Sequence, residues 1–350
     1  MQQDELFMKR CLDLARLGAG KVAPNPLVGA VLVHEGRIIG EGYHKEYGKA
    51  HAEVNCLASV SETDRPLIQE SSLYVSLEPC AHFGKTPPCS DLIIEEKVPR
   101  VVIGCRDPFE KVNGRGIELL EAAGVEVVEN ILEEECRLLN KRFFLFHSEH
   151  RPYIILKWAQ TSDNRMGFLH TERLYISNEF SNRIVHKWRG EEMAILVGTN
   201  TAMMDDPALT TRLWSGHNPT RLVVDKELKL PRSLKVFDKE ARTIVFNLHK
   251  HGEEDNIHYY QVTEDVSLVH QITNALYQLQ INSVIVEGGA LLLQSFIDEG
   301  LWDEARVITN ENLSIGEGVQ APVLEHHTLV HTMHLYGDRI TIFHPEKQKA

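Results

Sequence analysis

No apolar run in the 350 residues approaches the ~18–20 needed to cross a bilayer. A membrane-spanning helix is therefore not expected. An apolar signal-peptide core is missing too. The opening Met1-Gln2-Gln3-Asp4-Glu5 is acidic, and charge returns at Lys9-Arg10. These absences predict a cytoplasmic protein with no membrane partner. The chain also lacks a cationic surplus: 37 Lys and Arg against 50 Asp and Glu give −13. Residues 1–147 carry 17 − 23 = −6 and residues 148–350 carry 20 − 27 = −7, so no basic domain or tail is hidden in the total. A phosphate-backbone binder needs a concentrated cationic face. No nucleic-acid partner is expected, which leaves lysine and arginine to grip a single phosphate.

Cysteine is absent after Cys136, and tryptophan is absent before Trp158. Two halves that build their cores differently suggest two folding units, as does a length well above the roughly 100–200 residues of one domain. In a cytoplasmic chain this long, some of the six cysteines are better read as metal ligands or catalytic groups than as disulfides. Cys11, Cys56, Cys105 and Cys136 read as core residues.

Alternating patterns run through both halves. In the first, helix 3–18 precedes a hairpin of 27–33 and 38–40, turning at Gly36. Helix 51–60, strand 72–77, helix 90–97, strand 100–104, helix 115–123, strand 125–128 and helix 131–145 follow. The stretch from Phe146 to Pro152 breaks the pattern, placing domains at 1–147 and 151–350. The second series is strand 153–160, helix 178–191, strands 194–198, 221–225 and 243–247, helix 267–279, strand 283–287, helix 290–299 and strand 304–309. A hairpin of 329–336 and 339–344 ends it. Both halves read as α/β layers.

The most informative residues are His51-Ala52-Glu53, then Pro79-Cys80, then Cys89. One imidazole and two thiolates are three of the ligands zinc prefers, and a catalytic zinc keeps its fourth position for water. Glu53, two residues from His51, need not be a ligand and is placed to carry a proton. The H-x-E…P-C-x-x-C pattern marks zinc nucleobase deaminases. Here the second cysteine comes nine residues after the first, so a loop must be inserted. His51 should start helix 51–60 and Cys89 helix 90–97, where the helix dipole favours thiolate. A structural zinc with His82 as fourth ligand remains the alternative at this point.

The full pattern His51-Ala52-Glu53 with Glu78-Pro79-Cys80-Ala81-His82-Phe83-Gly84-Lys85-Thr86-Pro87-Pro88-Cys89 resembles the bifunctional deaminase–reductase family of riboflavin biosynthesis. Pro24-Asn25-Pro26-Leu27-Val28-Gly29, Asp107-Pro108 and Gly114-Arg115-Gly116 match further motifs, and the resemblance covers essentially the whole chain. It implies a cytidine-deaminase-like three-layer α/β/α domain followed by a dihydrofolate-reductase-like α/β domain. It implies one Zn2+ per chain, held by His51, Cys80 and Cys89, with Glu53 as the proton shuttle. It also implies a diaminopyrimidinone ribosylamine 5′-phosphate as substrate, contacted by Asn25, His44, His82, Lys85, Thr86 and Asp107. Phe109 departs from the family, where Asn is common after Asp-Pro.

The second half shows no G-x-G-x-x-G. It does run Val286-Glu287-Gly288-Gly289-Ala290, a strand entering two glycines and then a helix, which lets backbone N–H groups approach a phosphate. A second cluster, from Val197 to Arg212, follows strand 194–198. The resemblance implies NADPH contacted by Gln160, Tyr175, Thr201, Asp205, Gly288 and Gly289. It implies substrate contacted by Lys157, Arg173, Arg189, Leu209, Arg212 and Glu287, with Arg189 and Arg212 gripping the phosphate. Gln160, Asn164 and Arg173 are departures, standing where Ala or Gly, Gly and Ser are usual. The expected activity is zinc-dependent deamination followed by NADPH-dependent reduction of the ribosyl chain, in a homo-oligomer. The alternatives are a second half that binds ligand without reducing it, a non-catalytic module with structural zinc, and a nucleic-acid deaminase.

Overall fold

The computed structural model describes residues 2–81, 83, 87–109, 112–169 and 174–346. The chain divides into two compact units, residues 1–150 and 151–350.

In the first unit α1 (Gln2–Arg16) precedes the hairpin β1 (Gly29–His34) and β2 (Arg37–Tyr43), then α2 (Ala52–Ala58) and β3 (Ser72–Val75). After these come α3 (Cys89–Glu95), β4 (Arg100–Ile103), α4 (Arg115–Ala122), β5 (Glu126–Val128), α5 (Glu133–Leu139) and α6 (Lys141–Glu149). The sheet order is β2-β1-β3-β4-β5. β1 is antiparallel to β2 and β3, and β3, β4 and β5 are parallel. Alternation along β1 builds three layers. Ala30 and Leu32 face a core with Ala52, Ile93 and Ile117, while Val31 and Val33 face one with Phe7, Leu12 and Phe144. Cys11, Cys56, Cys105 and Cys136 are buried in these two cores.

The second unit contains β6 (Tyr153–Thr161), β7 (Arg165–Gly167), α7 (Glu179–Glu191), β8 (Ala194–Val197), α8 (Thr199–Asp205), β9 (Thr220–Val224) and β10 (Thr243–Asn247). It continues with β11 (Gly252–Glu254), β12 (Ile257–Gln261), α9 (Leu268–Gln278), β13 (Ser283–Val286), α10 (Ala290–Asp298), β14 (Glu304–Asn310), β15 (Val319–Gln320), β16 (His327–Leu335) and β17 (Asp338–Pro345). Ten strands form one sheet in the order β11-β12-β10-β9-β8-β13-β6-β14-β17-β16. The stretch from β12 to β14 is parallel. The central strands β8 and β13 are buried throughout, which explains their unbroken apolar sequences.

Several expected elements differ. The helix predicted over 131–145 is two helices hinged at Asn140, whose side chain accepts from Leu27 N–H at 2.7 Å and donates to its carbonyl at 2.9 Å. The break placed at Phe146 comes later, because Phe143, Phe144 and Phe146 are buried and draw the helix on to Glu149. His150, at φ 54°, then stops it ahead of Pro152. The strand predicted to end at residue 77 stops at Val75. The short α8, β7, β11, β12 and β15 were not foreseen. At two to seven residues they are too short for periodicity to register.

Candidate metal and redox sites

His51 is the residue before the first turn of α2, and Cys89 is the first residue of α3. Cys80 lies in the loop after β3 and is held there because Ser90 donates to its carbonyl through backbone N–H (3.2 Å) and hydroxyl (3.1 Å). The three converge. His51 Nδ1 is 3.5 Å from Cys80 Sγ and 3.3 Å from Cys89 Sγ, and the three atoms lie within 4.8 Å of one another. No other group of three such ligands occurs among the described residues. The set suits zinc: one nitrogen, two sulfurs and no carboxylate. Hydrogen bonds from the Cys89 thiol, and then from His51, pull the Cys80 thiol down to about 4, while sharing with Cys80 and burial push Cys89 up.

Glu53, on the first turn of α2, is 3% exposed. Burial, reinforced by Cys80, raises its carboxyl to about 7. That is the range a proton shuttle at neutral pH requires. Asn25 Nδ2 is 3.2 Å from Nε2 of the buried His44, whose ring is edge-on to His51 at 5.4 Å. Asp107 is buried, and that burial raises its carboxyl to about 7. It lines a cavity of about 510 Å³ with Arg106, Asn113 and Arg137. Phe109 donates its backbone N–H to Asp107 and packs its ring 4.9 Å from that of His147, an apolar use of that position. His82, Lys85 and Thr86 lie outside the described residues.

One contributor was not singled out from sequence. Glu78 is 3% exposed, and its carboxylate accepts from the N–H groups of Asp107 (3.2 Å), Gly114 (3.0 Å) and Gly116 (3.0 Å). It ties the loop carrying Asp107 to the loop carrying Cys80. A Cβ on Gly116 would stand 2.0 Å from the Pro79 carbonyl oxygen, so only glycine permits this approach. The available signal was an acidic residue directly before Pro79-Cys80.

In the second unit, functional candidates gather past the carboxyl ends of the adjacent strands β8 and β13, the usual crevice of an open α/β sheet. Gly198 N–H donates to Gly288 O at 2.9 Å. A Cβ on Gly289 would meet Thr201 Oγ1 at 3.1 Å, so the glycine turn leaves a cradle that a side chain would fill. This bare backbone beside a hydroxyl fits the diphosphate of a dinucleotide such as NADPH. The Gly288–Gly289 peptide is cis.

Next to it is a buried ion cluster. Arg189 on α7 forks onto Glu287 with Nε–Oε1 and Nη2–Oε2 both at 2.7 Å, and Lys157 Nζ is 3.5 Å from Oε2. Burial alone would raise the Glu287 carboxyl, but Arg189 and then Lys157 overcome it and hold the group at about 2. Arg189 Nη1 also donates to Thr210 O at 3.3 Å, bracing the loop of the buried Leu209. The Arg189 fork is occupied by Glu287, which gives the buried guanidinium its countercharge. Lys157 is the fifth of nine residues in β6. Arg212 is exposed. Gln160 accepts from Trp158 Nε1 (2.7 Å) and donates to Asn164 Oδ1 (2.9 Å), so two of the unusual residues hold each other. Tyr175 is 74% exposed before α7, Asp205 ends α8, and Arg173 lies outside the described residues.

Residues 1–105 match the cytidine and deoxycytidylate deaminase zinc-binding region, and residues 152–323 match the RibD C-terminal domain. The riboflavin biosynthesis protein RibD of Aquifex aeolicus is 41% identical over 324 residues, covering 90% of each chain. That of Escherichia coli K12 is 34% identical over 320 residues, covering 86% of each. The crystal structure of a diaminohydroxyphosphoribosylaminopyrimidine deaminase/5-amino-6-(5-phosphoribosylamino)uracil reductase from Thermotoga maritima superposes with a TM-score of 0.89. It is 35% identical and covers 98% of this chain and 99% of that one. Acinetobacter baumannii RibD gives a TM-score of 0.88 at 30% identity, covering 99% of each chain.

Proposed function

The chain belongs to the RibD family of riboflavin biosynthesis proteins, bifunctional deaminase–reductases, and from that membership we propose how its residues divide the work. The substrate is a small molecule, the phosphoribosylaminopyrimidine named for the Thermotoga relative. The first unit replaces one exocyclic amine with oxygen from water and releases ammonia. The second adds hydride and a proton across the C1′=N bond of the opened ribosylamine, leaving a ribityl chain.

In the first unit His51, Cys80 and Cys89 hold zinc, which when bound lowers the pKa of water. Glu53 takes a proton from the attacking water and hands it to the departing nitrogen. A buried carboxyl raised to about 7 suits both transfers. Asn25 and Asp107 meet the substrate, and His82, Lys85 and Thr86 are further proposed substrate contacts. In the second unit Thr201 and the Gly288-Gly289 turn cradle the diphosphate of NADPH, the hydride donor when bound. Gln160, Tyr175 and Asp205 flank it. Lys157 and Glu287 face the reacting sugar, Arg189 and Leu209 shape that wall, and Arg212 and Arg173 are proposed phosphate contacts. No helix among the described residues is long and apolar enough to cross a membrane. A cytoplasmic homo-oligomer is the form we propose.

The observation that carries this reading is the convergence of His51, Cys80 and Cys89 from three separate segments. Its test is ammonia release from the diaminopyrimidine substrate, followed by loss of NADPH absorbance with the deaminated product. Ammonia release without NADPH consumption would reject the reductase half.

A further inference from the structure

Asp163 lies in the turn between β6 and β7, three residues past Gln160. Its carboxylate accepts from this turn and from a distant segment at once. The Thr161 hydroxyl donates to Oδ1 at 2.5 Å. In the loop after β14, Ile315 N–H lies 3.3 Å from each oxygen and Gly316 N–H donates to Oδ2 at 2.7 Å. Successive backbone N–H groups turned on one carboxylate form an anion nest. The hydrogen bond from Thr161, then those from Gly316, Ser314 and Ile315, hold the carboxyl well below the ordinary carboxylate range. The two segments meet at further points. Ser162 donates to Leu313 O through its N–H (2.8 Å) and its hydroxyl (2.9 Å). Arg165 Nε donates to Gly316 O and Ala321 N–H to Asn164 O, both at 3.0 Å. β7 pairs with β15 between them. Residues 313–321 are thus a strap stitched along the turn.

The far end of the strap is tied to α10. Gln294 accepts from Val323 N–H at 2.9 Å and donates to Val323 O at 3.4 Å. Met166 of β7 and Leu292 of α10 pack on the apolar cluster that contains Ala321 of the strap. α10 is entered through Gly289, the turn proposed above to take the cofactor diphosphate. The other end of the strap holds the turn where Gln160 and Asn164 bond each other at 2.9 Å. β13, β6 and β14 are parallel neighbours, so this turn, the glycine turn and the start of the strap all leave the sheet at its carboxyl edge. We propose that Asp163 is a positioning residue of the reductase site. By latching residues 313–323 it fixes the spacing between the Gln160 turn and the first turns of α10, and hence the room left for the dinucleotide. The proposal rests on the reductase reading above. Asp163 acts through the strap and not by contact with the reacting atoms.

The first test needs neither catalysis nor cofactor. In the full chain, Asp163→Ala should speed amide hydrogen exchange from Ile315 through to Val323, well past the N–H groups that Asp163 itself accepts from. Unchanged exchange at Val323 overturns the latch. The second test is the Kd of NADPH, read from the fluorescence of the bound cofactor well below the melting temperature. Asp163→Ala should raise it roughly tenfold, the scale of one net hydrogen bond, with zinc content unchanged. Asp163→Asn should recover most of the affinity, because its amide oxygen still accepts from the nest and its NH2 donates to the Thr161 hydroxyl. Gln294→Ala frees the other end of the strap and should act in the same direction. The double variant should bind little worse than either single one, since one strap is released only once. An unchanged Kd in Asp163→Ala overturns the proposal, and so does a double variant that loses the full product of the two. If Asp163→Ala does not fold, an unchanged Kd in Gln294→Ala overturns it instead. A wild type that binds no NADPH at any concentration rejects the reductase reading, and exchange at Val323 still decides whether Asp163 latches the strap.

Discussion

Two buried carboxyls are shifted in opposite directions. Burial, with Cys80 adding to it, raises Glu53 to about 7, whereas Arg189 and then Lys157 overcome burial and hold Glu287 at about 2. Glu53→Gln keeps size and hydrogen-bonding shape but cannot move a proton. It should lower kcat for ammonia release by roughly 10²–10⁴ while metal analysis still finds one zinc. Loss of zinc in this variant would instead make Glu53 a ligand. Glu287→Gln leaves Arg189 and Lys157 buried without a countercharge and should cost about 3–5 kcal/mol at pH 7, measured by denaturant unfolding. The sign with pH follows from the depressed pKa. Glu287 contributes its stability above 4.5, the ordinary value, and loses it as pH falls toward 2. The gap between wild type and variant should therefore narrow over that interval. His51, Cys80 and Cys89 were legible from sequence because ligand chemistry restricts residue type so strongly. The Arg189–Glu287 pair was not, since 98 positions separate its members and either could equally have faced solvent.

Elements were readable where they are long and one-sided. The helix expected over 178–191 runs from Glu179 to Glu191, capped by Asn178, whose side chain accepts from Phe180 and Ser181 N–H. Short buried strands were readable as apolar runs. The α5–α6 hinge was not, because the apolar spacing of 131–145 is continuous and only contact with Leu27 breaks it. Asn140→Ala removes both hydrogen bonds to Leu27, two residues from Asn25. A thermal or denaturant melt should show a loss of roughly 1–3 kcal/mol, since a buried backbone N–H and carbonyl go unpaired. Gly116→Ala should be severe for a different reason. Its Cβ meets backbone rather than a yielding side chain, so the loops joined by Glu78 must part. Ammonia release should fall with stability in this variant, whereas an unchanged melt would deny that the close approach is real.

For the whole molecule, two units with separate sheets predict separable losses. Chelating zinc should abolish ammonia release and leave reduction of the already deaminated compound measurable by NADPH absorbance. Conversely, NADPH at a hundred times its Kd should stabilise the second unit by about 2.7 kcal/mol against unfolding. Failure of NADPH to protect at any concentration would remove the cofactor from the cradle at Gly288-Gly289. By itself the sequence determined the class of architecture, the metal chemistry and the even acidity. These depend on residue type, local periodicity and short spacings, which survive in one dimension. Only the tertiary structure decided that Arg189 is held by Glu287, that Glu78 ties two loops, and that Gln160 and Asn164 hold each other. Each of these depends on which buried polar group finds which partner, and that pairing is set by packing across the fold.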